Sequence, residues 1–464
     1  MRTLAATISA FVSKPRIGEA GIRCGSIFTR RRSAGRMIAW IVPGVALAFL
    51  PTFGTEPKET ARQRLDQIRE QVRAAHAAGD APAYLARSRE MRDLLNGSPS
   101  SVLQVMSAEA FAGDNEAALR SFERFVAMGQ SDRQAFAGKQ FDSMRGLERF
   151  QILLDQMQRN ETAVATSAEV FSMPAPGLIP EDIDYDPAAK QFYVTSVLKK
   201  EILALDWKGH ARVFASAPDA WPMMALKIDA RHRTLWATEV ALNGFVSVPK
   251  ADWKRSAILI YHLDSGRPLH RVEVPGQTTL GDMALTPEGD AIVSNNEGAV
   301  YRVHRDSLRV ERVDQGEFIS PQTGAVWPDG RHVFVPDYLR GIGILDLATK
   351  QVSWVGGGGA HALSGIDGVY LSGRTLIATQ NGASPERVVR FELDASRRRV
   401  ESESVIDRAT RTLGDPTHGV MVEGKFYYLA NSGWDTIDDD GSPKAGRTPA
   451  RALLMGVNVA ARLK

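Results

Sequence analysis

The stretch DMALTPEGDAIVSNN, Asp282 to Asn296, sets one apolar run against another across a polar turn and stops in Ser-Asn-Asn. Five more stretches repeat that pattern: DIDYDPAAKQFYVTS (182–196), ALKIDARHRTLWATE (225–239), GAVWPDGRHVFVPD (324–337), GVYLSGRTLIATQN (368–381) and GVMVEGKFYYLANS (419–432). Each reads as two strands joined by a short polar turn. A third strand closing on Asp often follows, as in EILALD, AILIYHLD and GIGILD. The anchor residues Ile183, Leu226, Met283, Ala325, Val369 and Val420 are 43, 57, 42, 44 and 51 residues apart. Four-stranded units at that spacing predict a mainly β fold, a six-bladed β-propeller.

The outermost strands support the count. HARVFAS, LHRVEVPG, RVERVD, QVSWVG and RRVESESVI follow the third strands of blades one to five, and blade six has no such follower. AEVFSMPAP, Ala168 to Pro176, has the missing character and lies just before blade one. It is expected to complete blade six and close the ring, which leaves no open sheet edge.

Upstream, residues 56–160 are rich in Ala, Arg, Glu, Leu and Gln without strand alternation, and read as an N-terminal α-helical segment. AAGDAPAYL (77–85) echoes FAGDNEAAL (111–119), with Gly79 and Gly113 34 residues apart, the period of tetratricopeptide hairpins. FDSMRGLERFQILLDQM (141–157) fits a terminal helix of such an array. An unrelated helical bundle is the competing reading, and in either case contact with a protein partner is the expected role.

Residues 1–54 read as a leader. Arg30, Arg31, Arg32 and Arg36 precede the apolar run MIAWIVPGVALAFLPTFG (37–54), a pattern that fits a secretory signal, with an uncleaved membrane anchor as the alternative. The expected location is therefore periplasmic or secreted, or inner-membrane anchored through the leader alone; Met1 and Met37 both qualify as the start. The formal charge of +3 misleads, because residues 1–36 hold eight Lys/Arg against one acid and the other 428 residues sum to −4. An acidic body argues against nucleic-acid binding. The single cysteine, Cys24, lies in the leader, so intrachain disulfides and cysteine-based zinc sites are excluded. The remaining domain expectation is a propeller over 161–464.

In a propeller, the loops into the first strands and after the second strands share one face. The first set presents Glu181, Met224, Gly281, Thr323, Asp367 and His418, one per blade, at the channel mouth. The second set supplies Glu239, Asn295, Asn296, Asp337, Gln380, Asn381 and Asn431. Blades two and six carry insertions there, 240–255 and 431–451, whose Phe245, Trp253 and Trp434 offer apolar wall for a small-molecule ligand. Glu239, Asn295, Asp337, Asn381, Asn431 and Trp434 are the expected ligand-binding residues. Carboxylates and amides around one axis suit a hard divalent cation, although Asp and Asn also serve turns. GGGG (356–359) lacks the Lys of a phosphate loop, and TIDDDG (436–441) lacks the first and last ligands of an EF-hand.

Blade one, PEDIDYDPAAKQFYVTSVLKKEILALD, resembles the opening blade of the gluconolactonase, regucalcin and senescence-marker-protein family. Glu181 falls on that family's metal-binding glutamate. DGV (367–369) resembles its DG-aliphatic motif, so the resemblance implies that Asp367 ligates a divalent cation (calcium, zinc, manganese or magnesium) and acts as base. The family's two asparagine ligands meet Gly281 and Thr323 here, with Asp282, Gln322 or Asn295 as substitutes. His418 has no counterpart among those ligands and is a second candidate catalytic residue. The resemblance implies an exported, metal-dependent lactonase-like hydrolase. A non-catalytic propeller that captures a ligand or protein, and metal-free chemistry like that of strictosidine synthase, remain alternatives.

Overall fold

Every repeat unit forms a blade. The computed structural model describes residues 59–459 apart from Gln277 and Gly358. The leader, its signal or anchor segment and Cys24 lie outside the described residues. Among the described residues no helix is long and apolar enough to cross a membrane.

Six antiparallel sheets surround one axis, with strands in chain order from channel to rim except for the outermost strands of blades five and six. The first strands are Pro180–Asp186, Met223–Asp229, Leu280–Leu285, Ala325–Val326, Gly368–Ser372 and Gly419–Val422. Their partners are the runs read from the sequence, for example Val293 opposite Met283 and Ala378 opposite Val369. The second and third strands read as apolar almost throughout because both faces of a blade are covered by neighbours. Val194, Leu203 and Leu205 pack against Tyr427, Leu429 and Leu454 of blade six, while Tyr193, Ile202 and Ala204 pack against Leu226, Leu235 and Leu259 of blade two. Similar clusters fill the other interfaces. Each fully buried side chain of this size contributes about 1.5–3 kcal/mol, so lateral packing between blades dominates the fold's stability.

Closure occurs as the sequence predicts. Ala168–Ser172 pairs with Leu453–Asn458 as the outer strand of blade six, with Ala168 opposite Gly456 and Ser172 opposite Leu453. An extra two-residue strand, Val164–Ala165, adds to the outer edge of blade five opposite Arg408 and Asp407. The sequence reading missed it, since two residues carry no alternation.

The helical segment comprises α1 (Ala61–Ala77), α2 (Ala81–Leu94), α3 (Pro99–Phe111), α4 (Asn115–Ala127) and α5 (Glu148–Arg159). The 34-residue echo marks two equivalent hairpin turns. Gly79 and Gly113 take φ of +71° and +80°, and the next residues, Asp80 and Asp114, cap α2 and α4 by accepting from Ala83 N at 3.0 Å and Ala117 N at 2.9 Å. Gly supplies the left-handed turn and Asp restarts the helix, so the pair recurs together.

These helices rest on the propeller and form one compact unit with it from Glu59 onward. Ile319 and Leu339 of blade four join the cluster of Leu65, Ile68, Tyr84 and Met91, and Ala362 joins that of Phe122, Phe136 and Phe150. Polar contacts fix the seat. Ala61 N donates to Gly316 O at 2.8 Å, Arg340 Nε to Leu94 O at 2.8 Å and Asn96 Nδ2 to Arg340 O at 3.1 Å. The propeller loops involved enter first strands or follow second strands. One flank of the helices is thus committed to the channel-mouth face of blades three to five.

Candidate functional site

Blade one opens with four acids, Glu181, Asp182, Asp184 and Asp186, and each has a different setting. Asp182 accepts from Leu226 N and from Lys227 Nζ, the latter at 2.8 and 2.6 Å, and Asp184 accepts from Ile228 N at 2.7 Å. Asp186 receives both arms of Arg233 at 2.8 Å each. These three clamp blade one to blade two. Glu181 alone is left for the channel.

Its direction has a backbone cause. The pairing register slips between Pro180 and Ile183, which lets adjacent side chains face different ways. Two residues earlier, Ile179 sits at φ +47° with 1% exposure, a left-handed conformation that a β-branched residue takes only under constraint. The same slip occurs between Leu280 and Asp282 in blade three.

Four side chains from four blades meet around the axis: Glu181, Asp282, Asp367 and His418. The His418 ring, 1% exposed, has Nδ1 2.8 Å from Glu181 O; a carbonyl only accepts, so Nδ1 carries a proton. Nε2 forms an ion pair with Asp282 Oδ1 at 3.3 Å, a contact that helps to raise the imidazole. Thr323 Oγ1 donates to the same Asp282 oxygen at 2.9 Å. Glu181 Oε2 accepts from Trp434 Nε1 at 2.6 Å, so the blade-six insertion reaches over the mouth. Tyr338 donates to Asn381 Oδ1 at 3.1 Å, and the Asn381 side chain favours the charged forms of Asp367 and Asp415.

Electrostatics follow from crowding acids out of water. Burial, reinforced by Asp367 and opposed by His418, pushes Glu181 up to about 8. Burial with Asp282 and Asp415 pushes Asp367 up to about 7, again against His418. For His418 burial disfavours charge, but Asp182, Asp282 and Asp367 outweigh it and raise the imidazole well above its usual value. At neutral pH one imidazolium faces carboxyls that retain part of their protons.

Several expected ligand-binding residues are engaged elsewhere. Asn295 accepts from Glu297 N at 3.2 Å and Ala299 N at 2.8 Å, and Asn431 accepts from Leu453 N at 2.7 Å. Asp337 accepts from the amides of Ile319, Ser320, Leu339 and Arg340. Glu239 pairs with Arg271 Nε at 3.1 Å. Asn295 and Asp337 cap the turns that follow their strands, whereas Asn431 and Glu239 reach the third and fourth strands of their own blades. Asn381 and Trp434 do reach the centre. Phe245 is buried beneath the joined insertions, where Val246 N donates to Asp440 O at 2.8 Å, and gives no wall to a ligand. Sequence reading gave no role to Tyr338, Glu386 or Asp415 and held Asp282 only as a substitute ligand; the aligned GD of blade three and ED of blade one was the available signal.

The resemblance implied a divalent cation on Glu181 and Asp367. Among the described residues no three His, Asp or Glu side chains are spaced to hold a metal ion. Glu181 Oε2 already accepts the Trp434 indole N–H, and His418 brings positive charge to the same point. This arrangement does not fit the metal.

No protein family model matches the chain, and no curated protein matches it. Solved structures similar to it include the major allergen Mala s 1 of Malassezia sympodialis, at 15% identity and TM-score 0.48 over 64% of this chain and 97% of that one. A luciferin-regenerating enzyme is similar at 11% identity and TM-score 0.44, over 64% and 96%. A gluconolactonase of Xanthomonas campestris is similar at 14% identity and TM-score 0.41, over 62% and 88%.

Proposed function

We propose that the channel mouth is an acid–base site for a small molecule, and that its reaction is hydrolysis of a lactone or related ester. The observation that carries this reading is the meeting of Glu181, Asp282, Asp367 and His418, drawn from four blades to one point.

In this reading Asp367 is the base. It takes a proton from water as the water oxygen bonds to the acyl carbon. His418, held as an imidazolium by the acids around it, steadies the negative charge that develops on the carbonyl oxygen. The acyl–oxygen bond then breaks, and Glu181, still largely protonated at neutral pH, passes its proton to the leaving oxygen. Atoms and protons balance over a turnover: water supplies the hydroxyl of the acid, Glu181 supplies the proton of the alcohol, and the proton taken by Asp367 is released to solvent, from which Glu181 is reprotonated.

A lactone panel tests it. Hydrolysis by the intact protein, falling about 10²–10⁴-fold in Asp367→Asn with little change in thermal stability, is the expected result. Equal rates in wild type and Asp367→Asn would remove the reading. A propeller that captures a ligand without turning it over is the competing reading, favoured by Gly281 and Thr323 standing where the resembled family has asparagine ligands. Calorimetric titration of stripped protein with calcium, zinc, manganese and magnesium checks the metal-dependent form. Binding lost in Glu181→Gln would restore it.

A further inference from the structure

The first strands run from the acid-lined mouth to the opposite face, and a second opening lies at their far ends. Half-buried Ile228, Leu285, Val326 and Leu371, from four consecutive blades, line a cavity of about 450 Å³ together with Trp327. Ile228, Leu285, Trp327 and Leu371 each stand two residues past the anchor of their repeat, so the repeat itself builds this apolar floor. The cavity shares no lining residue with the cluster of Glu181, Asp282, Asp367 and His418. Along the strand Leu280–Leu285, Asp282 of that cluster and Leu285 of the cavity are roughly 10 Å apart at about 3.3 Å per residue. Such a size and lining suit a small molecule with an apolar body.

The charges at its edge are positive. Arg231 lines the cavity, is exposed, and makes no hydrogen bond or ion pair among the described residues. Arg397 donates from Nε to the lining carbonyl of Gly373 at 3.1 Å, and its guanidinium lies 5.6 Å from the Trp327 ring centroid. It too has no carboxylate partner among the described residues. Blades two and five, which carry these arginines, stand opposite each other in a ring of six, so a guanidinium flanks the cavity on either side. Asp229 is the one acid of the lining, and it is engaged: His232 N donates to Oδ1 at 3.0 Å and His232 Nδ1 lies 2.6 Å from Oδ2. Asp184 of blade one, which accepts from Ile228 N at 2.7 Å, is engaged as well. Trp327 Nε1 is buried without a hydrogen-bond partner, so the wall holds more donors than its own acceptors satisfy.

We infer that this far opening is a second ligand site, and that its ligand is a small carboxylate with an aliphatic or aromatic body. The body covers the aliphatic floor, and the carboxylate draws on the guanidinium groups of Arg231 and Arg397, which are otherwise unpaired. A neutral analogue forfeits the ionic contact, and a short acid forfeits the apolar one. The site stands independently of the reaction proposed at the other mouth.

Calorimetry and ligand-observed NMR on the intact protein, at low salt, compare 3-phenylpropionate with 3-phenylpropanamide and with acetate. The aryl carboxylate is expected to bind at least about fivefold tighter than its amide, with acetate weaker than both. Arg231→Gln with Arg397→Gln should erase the preference for the acid. If that pair fails to fold, Arg231→Gln alone, which removes no contact within the protein, should weaken 3-phenylpropionate by about two- to fivefold with thermal stability unchanged. Asp367→Asn, at the other mouth, should leave this binding as it is. Equal affinity for acid and amide, no binding of 3-phenylpropionate, or affinity that changes in Asp367→Asn and not in Arg231→Gln would each overturn the inference; the last would place the acid at the acid-lined mouth. Hydrolysis of a lactone, found or not found, bears on the proposed reaction alone.

Discussion

At the scale of single residues the centre is organised by which charges are buried together. His418 is raised in the folded state, so its contribution is present at low pH and lost as pH rises through the folded value. Glu181 and Asp367 are raised carboxyls, so their ionisation also destabilises the fold as pH rises above the unfolded range. The signs add. Thermal stability should therefore decline from about pH 5 to about pH 9, and Glu181→Gln should flatten that decline in melts across the range. A profile that rises instead would contradict the electrostatics described. Trp434→Phe removes the donor that holds Glu181 down, so the Glu181 carboxyl should titrate higher still, as read by the pH dependence of binding at the mouth. Of these residues the sequence offered Glu181, Asp367 and His418 by position in the repeat. It could not separate Asn381 from Asn295 or Asn431, because an amide after a strand looks the same whether it caps its own turn or points to the axis.

Secondary elements were legible wherever a period existed. The strands of six blades and the 34-residue helical echo were read from alternation and from the Gly-Asp turns at 79–80 and 113–114. Their mutual seat was not, since docking depends on which exposed apolar side chain meets which, and Ile319 is one residue in an irregular loop. It is 0% exposed and joins the α1–α2 cluster. Ile319→Ala should cost about 2–4 kcal/mol and raise amide exchange across residues 61–94 before the blades respond. Unchanged exchange there would mean that the helices are held by other contacts. The expected role of the helices as a docking module narrows accordingly, because the propeller already covers one flank.

For the whole molecule, ring closure is the governing feature. The repeat count and the missing outer strand together demanded a donor, and Ala168–Ser172 supplies it. Phe171, 6% exposed and packed on Phe192, carries much of that seam. Phe171→Ala should destabilise by about 3–5 kcal/mol and, by loosening an edge strand, promote self-association measurable by sedimentation. Loss of stability with no change in association would leave the packing argument intact and remove the edge argument.

Closure also sets an order on synthesis. The strand at 168–172 leaves the ribosome nearly three hundred residues before its partner at 453–458. Throughout that interval the helices and early blades can form, but the sixth blade exists only as an unclaimed ribbon waiting for its mate. A nascent chain arrested anywhere before that partner is therefore an open arc with two sticky ends, and quality control in the cell must guard it until the last blade arrives.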